Sequence, residues 1–480
     1  MDINWLVISP PLVLILTASV GVLAGLGFKS TRPVAFLSLA GTLVALFLNA
    51  QLFGRGEPLS AFGLRYLADT SALAVNTLIL LGTALVLLLS VDALERGLGG
   101  FEYYPLLLLS ATGGMVMAAA GDFITLLLGL EILSLAVYVL SAWRQGARAS
   151  EEAGMKYFLL GAFASAFLIY GIALMYGATG QFTYSGVVRQ LQQEAFSQGV
   201  LATLAGAFIL GGLAFKAAFA PFHQWSPDVY SGAPTPVTAF MSVVVKAAAF
   251  AALLRVFTLI YPDLSGALTQ ALVVIVALTL IVGNLSALVQ RSVKRLLAYS
   301  AVAHAGYLGL ALLAADTAGG TQAVIWYLTA YTFMNVGAFA VLSLLTDRDD
   351  RGDDLERFAG LGKTRPYLAF AMTLFLLSLT GIPPLAGFIG KILVFQAALE
   401  AGYTALAVIA ILTSIVAAVY YVRVVAVMYF RDPEHTEVGS RSALTGVAIA
   451  VAALATVALG VLPGWWYGLL GAGRQLLAGF

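Results

Sequence analysis

A chain of 480 residues that is 61% hydrophobic and 10% charged, with a mean hydropathy of +0.95, carries too little polar surface for a soluble globule. Its formal net charge of +1 offers no basic excess for nucleic acid, and the absence of cysteine excludes disulfides, Cys-ligated zinc and Cys-ligated iron–sulfur clusters. With only His223, His304 and His435, and no Walker-type or dinucleotide-type glycine loop leading into a helix, no metal, haem or nucleotide site is expected in this chain.

A hydrocarbon layer of roughly 30 Å needs about 20 apolar residues in a helix, and such runs follow one another almost end to end. The expected fold is an all-α polytopic membrane protein with about fourteen transmembrane helices. In chain order the spans fall near 5–28, 33–53, 71–91, 104–120, 122–142, 154–177 and 200–222, then 236–260, 266–288, 296–315, 322–346, 367–400, 404–430 and 443–470. The first has no basic lead or cleavage site and reads as a retained helix. Gly121 and Asp122 alone separate the fourth and fifth spans, since one continuous helix there would far exceed the bilayer.

Sorted onto alternate loops, seventeen Lys and Arg fall on one side, among them Arg96, Arg144, Lys156, Lys294, Arg295 and Arg423. Five fall on the other: Arg55, Arg65, Arg189, Arg255 and Arg474. Positive charge is retained on the cytoplasmic side, so both termini are expected to face outward.

Lys216, Lys246 and Lys391 lie inside spans, and Glu131 lies nine residues beyond Asp122, roughly 13 Å deep at helical rise. A charge near the bilayer centre costs several kcal/mol, so intramembrane ionisable groups mark a pathway or a structural ion pair. As a pathway they form a proton relay, because burial disfavours a charge and a nearby carboxylate restores it, making the charge switchable.

Two spans are expected to be broken. After Lys216, Pro221, Pro227, Pro234 and Pro236 separate two apolar runs, with Pro221 ending or kinking the helix. Before Lys391, Pro383 and Pro384 interrupt about 34 residues that would measure roughly 50 Å as one helix. Paired interrupted segments in two halves are the mark of inverted repeats. The expected organisation is a three-helix segment over 1–103, a five-helix repeat over 104–265, a second, inverted five-helix repeat over 266–430, and a final loop and helix over 431–480.

The segments L-L-L-G-L-E ending at Glu131, K-A-A-F-A-P-F-H-Q-W-S-P-D-V-Y-S-G-A-P-T-P from Lys216, R-S-V-K-R-L-L-A-Y-S-A-V-A-H-A-G-Y-L from Arg291, Y-T-F-M-N-V-G-A-F from Tyr331 and G-I-P-P-L-A-G-F-I-G-K ending at Lys391 resemble the antiporter-like proton-pumping subunits of respiratory complex I, the bacterial NADH-quinone oxidoreductase. The resemblance covers nearly the whole chain and implies fourteen helices, two inverted repeats and an acid–lysine–lysine line along the membrane midplane. By matching motif it makes Glu131 the acid that modulates Lys216, Lys216 the switching base, Lys246 the central relay and Lys391 the terminal exchange residue. Lys156 is either part of that relay or an interfacial anchor. His223, beside Pro221, is either a proton entry point or a satisfied loop histidine.

His304 is either a relay or a packed polar residue, with Tyr299, Ser300 and Tyr307 as possible hydrogen-bond partners. His435 and the run Asp347–Phe358 read as solvated loops, and the small-residue patterns as helix packing. On this resemblance the chain holds no cofactor, and NADH, flavin, iron–sulfur clusters and quinone belong to partner subunits. Its partners are the other membrane subunits, neighbouring antiporter-like subunits included, the lipid bilayer and protons, in a bacterial inner membrane. The other reading is a subunit of an Mrp-type cation/proton antiporter, which shares the fold.

Overall fold

In a computed structural model, described here for residues 4–28, 30–55, 58–193, 199–264, 266–346, 352–433 and 442–464, the chain is a bundle of membrane helices. Within hydrocarbon every backbone N–H and C=O must be paired inside its own segment, and the helix achieves this. Among the described residues twelve helices are long and apolar enough to span a membrane, and two shorter apolar helices, Tyr103–Ala118 and Pro366–Thr380, stand where two further spans are expected. The chain is thus a multi-pass membrane protein.

The N-terminal helices are α1 (Trp5–Gly25), α2 (Arg32–Phe53) and α3 (Thr70–Ala93). Then come α4 (Tyr103–Ala118), α5 (Phe123–Ser141), α6 (Arg148–Thr179), a short amphipathic α7 (Tyr184–Leu191), α8 (Val200–Ala217) and α9 (Trp225–Gly232). Helix α10 (Thr235–Leu259) contains a π turn at Met241–Val245. The second half holds α11 (Gly266–Leu288), α12 (Val293–Leu313), α13 (Ala318–Leu345), α14 (Pro366–Thr380), α15 (Ala386–Glu400), α16 (Thr404–Phe430) and α17 (Ala443–Val461). The last expected span ran to 470, and its end lies outside the described residues, as do His435, Arg474 and the start of the Asp347–Phe358 run.

Side-chain caps fix where helices begin. Asp69 accepts from Ala72 N ahead of α3, Asp122 from Thr125 N ahead of α5, and Ser292 from Arg295 N ahead of α12. Each such cap stabilises its helix by about 1 kcal/mol. Asp122 therefore does separate the fourth and fifth spans. Close helix pairs rest on glycine, as expected: a Cβ at Gly113 or Gly129 would strike the backbone of the facing helix in the α4–α5 pair, and one at Gly283 would strike Ala303 in the α11–α12 pair.

The all-α expectation misses one element. A two-stranded antiparallel hairpin, β1 (Leu59–Ala61) and β2 (Tyr66–Ala68), precedes α3. Leu67 N donates to Ala119 O, Gly121 N to Arg65 O and Tyr184 N to Gly121 O, so hairpin, α4–α5 link and α7 form one cap. We call this the hairpin face.

Helices α10 and α13 are fully enclosed and α12 almost so, whereas α1, α2, α6, α11, α16 and α17 expose apolar flanks. Helix α13 is the hub, packing against α3, α10, α12, α14, α15 and α17. The C-terminal α17 also touches α3, which ties the two ends of the chain together.

Both expected breaks are present. The first lies earlier than proline placement suggested: α8 ends at Ala217 because Ala218 takes a left-handed φ of 60°, three residues before Pro221, and the chain resumes helix at Trp225. The second lies where expected, with α14 capped by Gly381 at φ 92° and α15 starting at Ala386 after Pro383 and Pro384.

Candidate functional site: a buried lysine line

Three lysines stand on three different helices, each almost fully buried: Lys216 is 4% exposed, Lys246 3% and Lys391 4%. Lys216 sits in the last turn of α8, at the carbonyl end whose partial negative charge favours a cation. Its Nζ donates to Tyr157 Oη at 3.4 Å and lies over the rings of Tyr138 and Tyr157, 5.4 and 5.1 Å from their centroids. Tyr157 stacks on Trp225 of α9 at 4.3 Å, and Trp225 Nε1 donates to Phe215 O at 3.0 Å, so the far side of the break closes over the lysine. A cavity of about 10 Å³, room for one water, opens between Lys216, Tyr138, Gly161 and Ser165.

Glu131, on α5 two turns before Tyr138, does not touch Lys216. Its buried Oε1 has no hydrogen-bond partner, and no carboxylate among the described residues stands within ion-pair distance of Lys216. Glu131 can act on Lys216 here only through space, not through a contact.

Lys246 follows the π turn of α10 directly. Its Nζ donates to Ala301 O of α12 at 2.5 Å and lies 5.5 Å from the ring centroid of Tyr331. Lys391, in α15, donates to Thr380 O at the end of α14 and to Ser414 Oγ of α16, both at 2.7 Å, with Nζ 4.9 Å from the ring of Tyr307.

His304 lies between these two. Its Nδ1 bonds Tyr327 Oη at 2.7 Å and its Nε2 meets Tyr421 Oη at 3.3 Å, while Tyr421 also bonds Ser300. The ring is 5.1 Å from Tyr331 and 5.8 Å from Tyr307, the two tyrosines under Lys246 and Lys391. Of the partners foreseen for His304, Ser300 is reached only through Tyr421, Tyr307 makes an edge contact, and Tyr299 instead lies near Arg295. Tyr327 and Tyr421 were missed, because a tyrosine in an apolar helix reads as core; only the known place of the lysines would single them out.

Four other charges settle differently. Lys156 is 41% exposed and pairs with Glu152 at 2.6 Å and Asp228 at 2.8 Å, while Arg295 of α12 meets the other oxygen of Asp228 at 2.8 Å. Lys294, sorted above to a loop, is buried and donates to Ala233 O at 2.6 Å. Arg255, also sorted to a loop, is 3% exposed and paired with Asp69; a basic residue four positions from a helix end looks solvated until the cap above it is seen. His223 lies half-buried in the first break.

Buried lysines beside two broken helices define a class, the antiporter-like membrane subunits, and residues 120–417 match the family described as NADH:quinone oxidoreductase/Mrp antiporter, TM. The Deinococcus radiodurans NADH-quinone oxidoreductase subunit N is 42% identical over 100% of this chain and 99% of its own. Among solved structures, a chain of respiratory complex I from Thermus thermophilus with bound aureothin is 40% identical with a TM-score of 0.82, covering 95% of this chain and 97% of its own. A chain of the Mrp complex from Dietzia shares the fold, with a TM-score of 0.86 at 23% identity over 99% of this chain and 98% of its own. The chain belongs to the NADH-quinone oxidoreductase subunit N family. It is a membrane subunit of an oxidoreductase complex, part of a multisubunit assembly.

Proposed function

We propose that this chain translocates protons for NADH-quinone oxidoreductase along Glu131, Lys216, Lys246, His304 and Lys391, driven by electron transfer in partner subunits that hold NADH, flavin, iron–sulfur clusters and quinone. The chain has no redox site of its own on this reading. One observation carries it: the three lysines are buried beside uncharged oxygens and aromatic faces, and Tyr331, His304 and Tyr307 join Lys246 to Lys391. A structural lysine of this depth would be matched by a carboxylate, since an unpaired buried charge costs several kcal/mol. Hydroxyl and imidazole groups both donate and accept, so they can pass a proton between ammonium sites without a charged side chain moving far.

On the same reading 104–265 and 266–430 are the two inverted repeats. In support, the tight α4–α5 pair matches the tight α11–α12 pair, and α6 packs against broken α8–α9 as α13 does against broken α14–α15. The hairpin face is the outer face of a bacterial inner membrane and both termini lie on that side. Lys156 is an interfacial anchor for Asp228, and His223 admits protons at the first break.

The test is Lys216→Ala in the native complex, with assembly verified on a gel and electron-transfer-driven proton uptake measured in vesicles. Loss of uptake in an intact complex is expected; uptake equal to that of the unchanged complex sinks the relay. Sodium-dependent transport by the isolated chain would instead favour the Mrp-type antiporter reading.

A further inference from the structure

One buried ion pair lies outside the relay. Arg255 and Asp69 meet through two parallel bonds, Nη1 to Oδ2 at 2.7 Å and Nη2 to Oδ1 at 3.0 Å, with side chains 3% and 4% exposed. Ser71 Oγ and Ala72 N donate to Oδ1, each at 2.8 Å, and Arg255 Nη2 also reaches Ala118 O at 3.4 Å. The pair thus joins α3, α10 and the end of α4 directly beneath the hairpin-face cap.

Two cavities lie close to it, one of them walled by Arg255 itself. On the hairpin face a recess of about 480 Å³ runs between α7 and the end of α10, lined by Tyr184, Ser185, Gln192, Thr258 and Leu259 among others. The hydroxyl of Tyr184, a residue 2% exposed, is buried there without a partner. Thr258 also borders a second cavity of about 10 Å³, walled by Arg255, Ser71, Thr321 and Ala251. Ala251, Arg255 and Thr258 follow one another along one face of α10, which nine residues further in, roughly 13 Å, carries Lys246.

We propose that the Asp69–Arg255 pair is a water seal between the hairpin-face recess and the interior that holds Lys246. The chemistry suits a plug rather than a relay. A guanidinium does not give up its proton in proteins, and Asp69 already accepts four bonds, three of them at Oδ1. The Arg255 end of the pair walls the second cavity, and Thr258, one turn further along α10, borders both cavities. Such a seal stops protons returning past the lysine line. That last consequence rests on the relay reading; the water boundary itself does not.

The chain has no cysteine, so single thiols report water directly. Thr258→Cys and Ala251→Cys are to be made separately, the complex purified into nanodiscs, and the rate of modification by a small charged methanethiosulfonate measured on this subunit. With the pair intact, Thr258→Cys reacts and Ala251→Cys reacts at least tenfold more slowly. In the background Asp69→Leu with Arg255→Met, which strands neither charge, the Ala251→Cys rate rises at least tenfold. The seal is overturned by an unreactive Thr258→Cys, by equal rates with the pair intact, or by a slow Ala251→Cys once both charges are gone. Should the double substitution not assemble, Arg255→Lys, which keeps the charge but not the two-pronged contact, is expected to raise the rate several-fold, and an unchanged rate overturns the seal. No turnover is needed, so this outcome is independent of the pumping assay for Lys216.

Discussion

The two broken helices hold their lysines in opposite ways. At the first break Lys216 belongs to the helix that ends, and its ammonium has one long bond, to Tyr157 at 3.4 Å, and two aromatic faces. At the second, Lys391 belongs to the helix that restarts, and it reaches back to the last carbonyl of the preceding helix and across to Ser414, both at 2.7 Å. The cap residues differ too: Ala218 takes a left-handed φ that suits glycine, whereas Gly381 occupies that region freely. A loosely held ammonium beside a water-sized cavity is suited to exchanging partners, and a doubly bonded one to holding a proton in a fixed place. The same architectural device, an interrupted helix beside a buried lysine, leaves the ammonium loosely held in one half and doubly bonded in the other.

That contrast can be broken most severely at Lys216. Lys216→Arg keeps the charge but removes the exchangeable proton, so proton uptake per NADH oxidised is expected to fall about tenfold or more in the assembled complex. Uptake within twofold of the unchanged complex would show that only charge matters at this position. Next comes Ser414→Ala, which takes one of two short bonds from Lys391; a bond to a charged group contributes about 1.5–3 kcal/mol, read as a lower thermal midpoint of the purified complex. Tyr157→Phe, the matching change at Lys216, is expected to move that midpoint far less, because its bond is long.

The cap positions sharpen the comparison with opposite signs. At Gly381 a Cβ would stand 2.8 Å from Lys391 Cδ and the left-handed φ adds roughly 1–2 kcal/mol, so Gly381→Ala destabilises. Ala218→Gly relieves the same kind of strain and is expected to stabilise by up to about 1 kcal/mol, measured by the same thermal midpoint. The smallest effect is expected from Asp228→Asn. Its pairs with Lys156 and Arg295 are partly exposed, and such pairs contribute about 1 kcal/mol or less, so a midpoint shift of several degrees would mark Asp228 as more than an anchor.

The spans, both breaks and all three buried lysines were legible in the sequence because hydropathy and proline act locally: a charge amid apolar residues, or a proline pair in an overlong span, is visible without knowing its neighbours. What was not legible depends on contacts across helices. The hairpin at 59–68 hides in a short link between two spans, and Leu67 is paired with Ala119 on a different helix end. Arg255 and Lys294 look like loop charges because each lies within about a turn of a helix end, yet Arg255 is buried against Asp69 and Ala118 and Lys294 against Ala233. The tyrosines around His304 come from α12, α13 and α16, and no periodicity within one helix brings Tyr327 and Tyr421 to one imidazole. Glu131 lies on the expected fifth span, α5, but its lack of contact with Lys216 could be seen only in three dimensions.

The enclosure of α10 and α13 has a consequence for how the bilayer can influence this subunit. Helices α1, α2, α6, α11, α16 and α17 present apolar flanks on the outside of the subunit, while Lys246 and the tyrosines of α13 see only protein. Changes in chain length or headgroup therefore press on the rim and reach the centre only as small tilts of the surrounding helices. The interior around Lys246 is a medium whose polarity is set by side chains rather than by lipid.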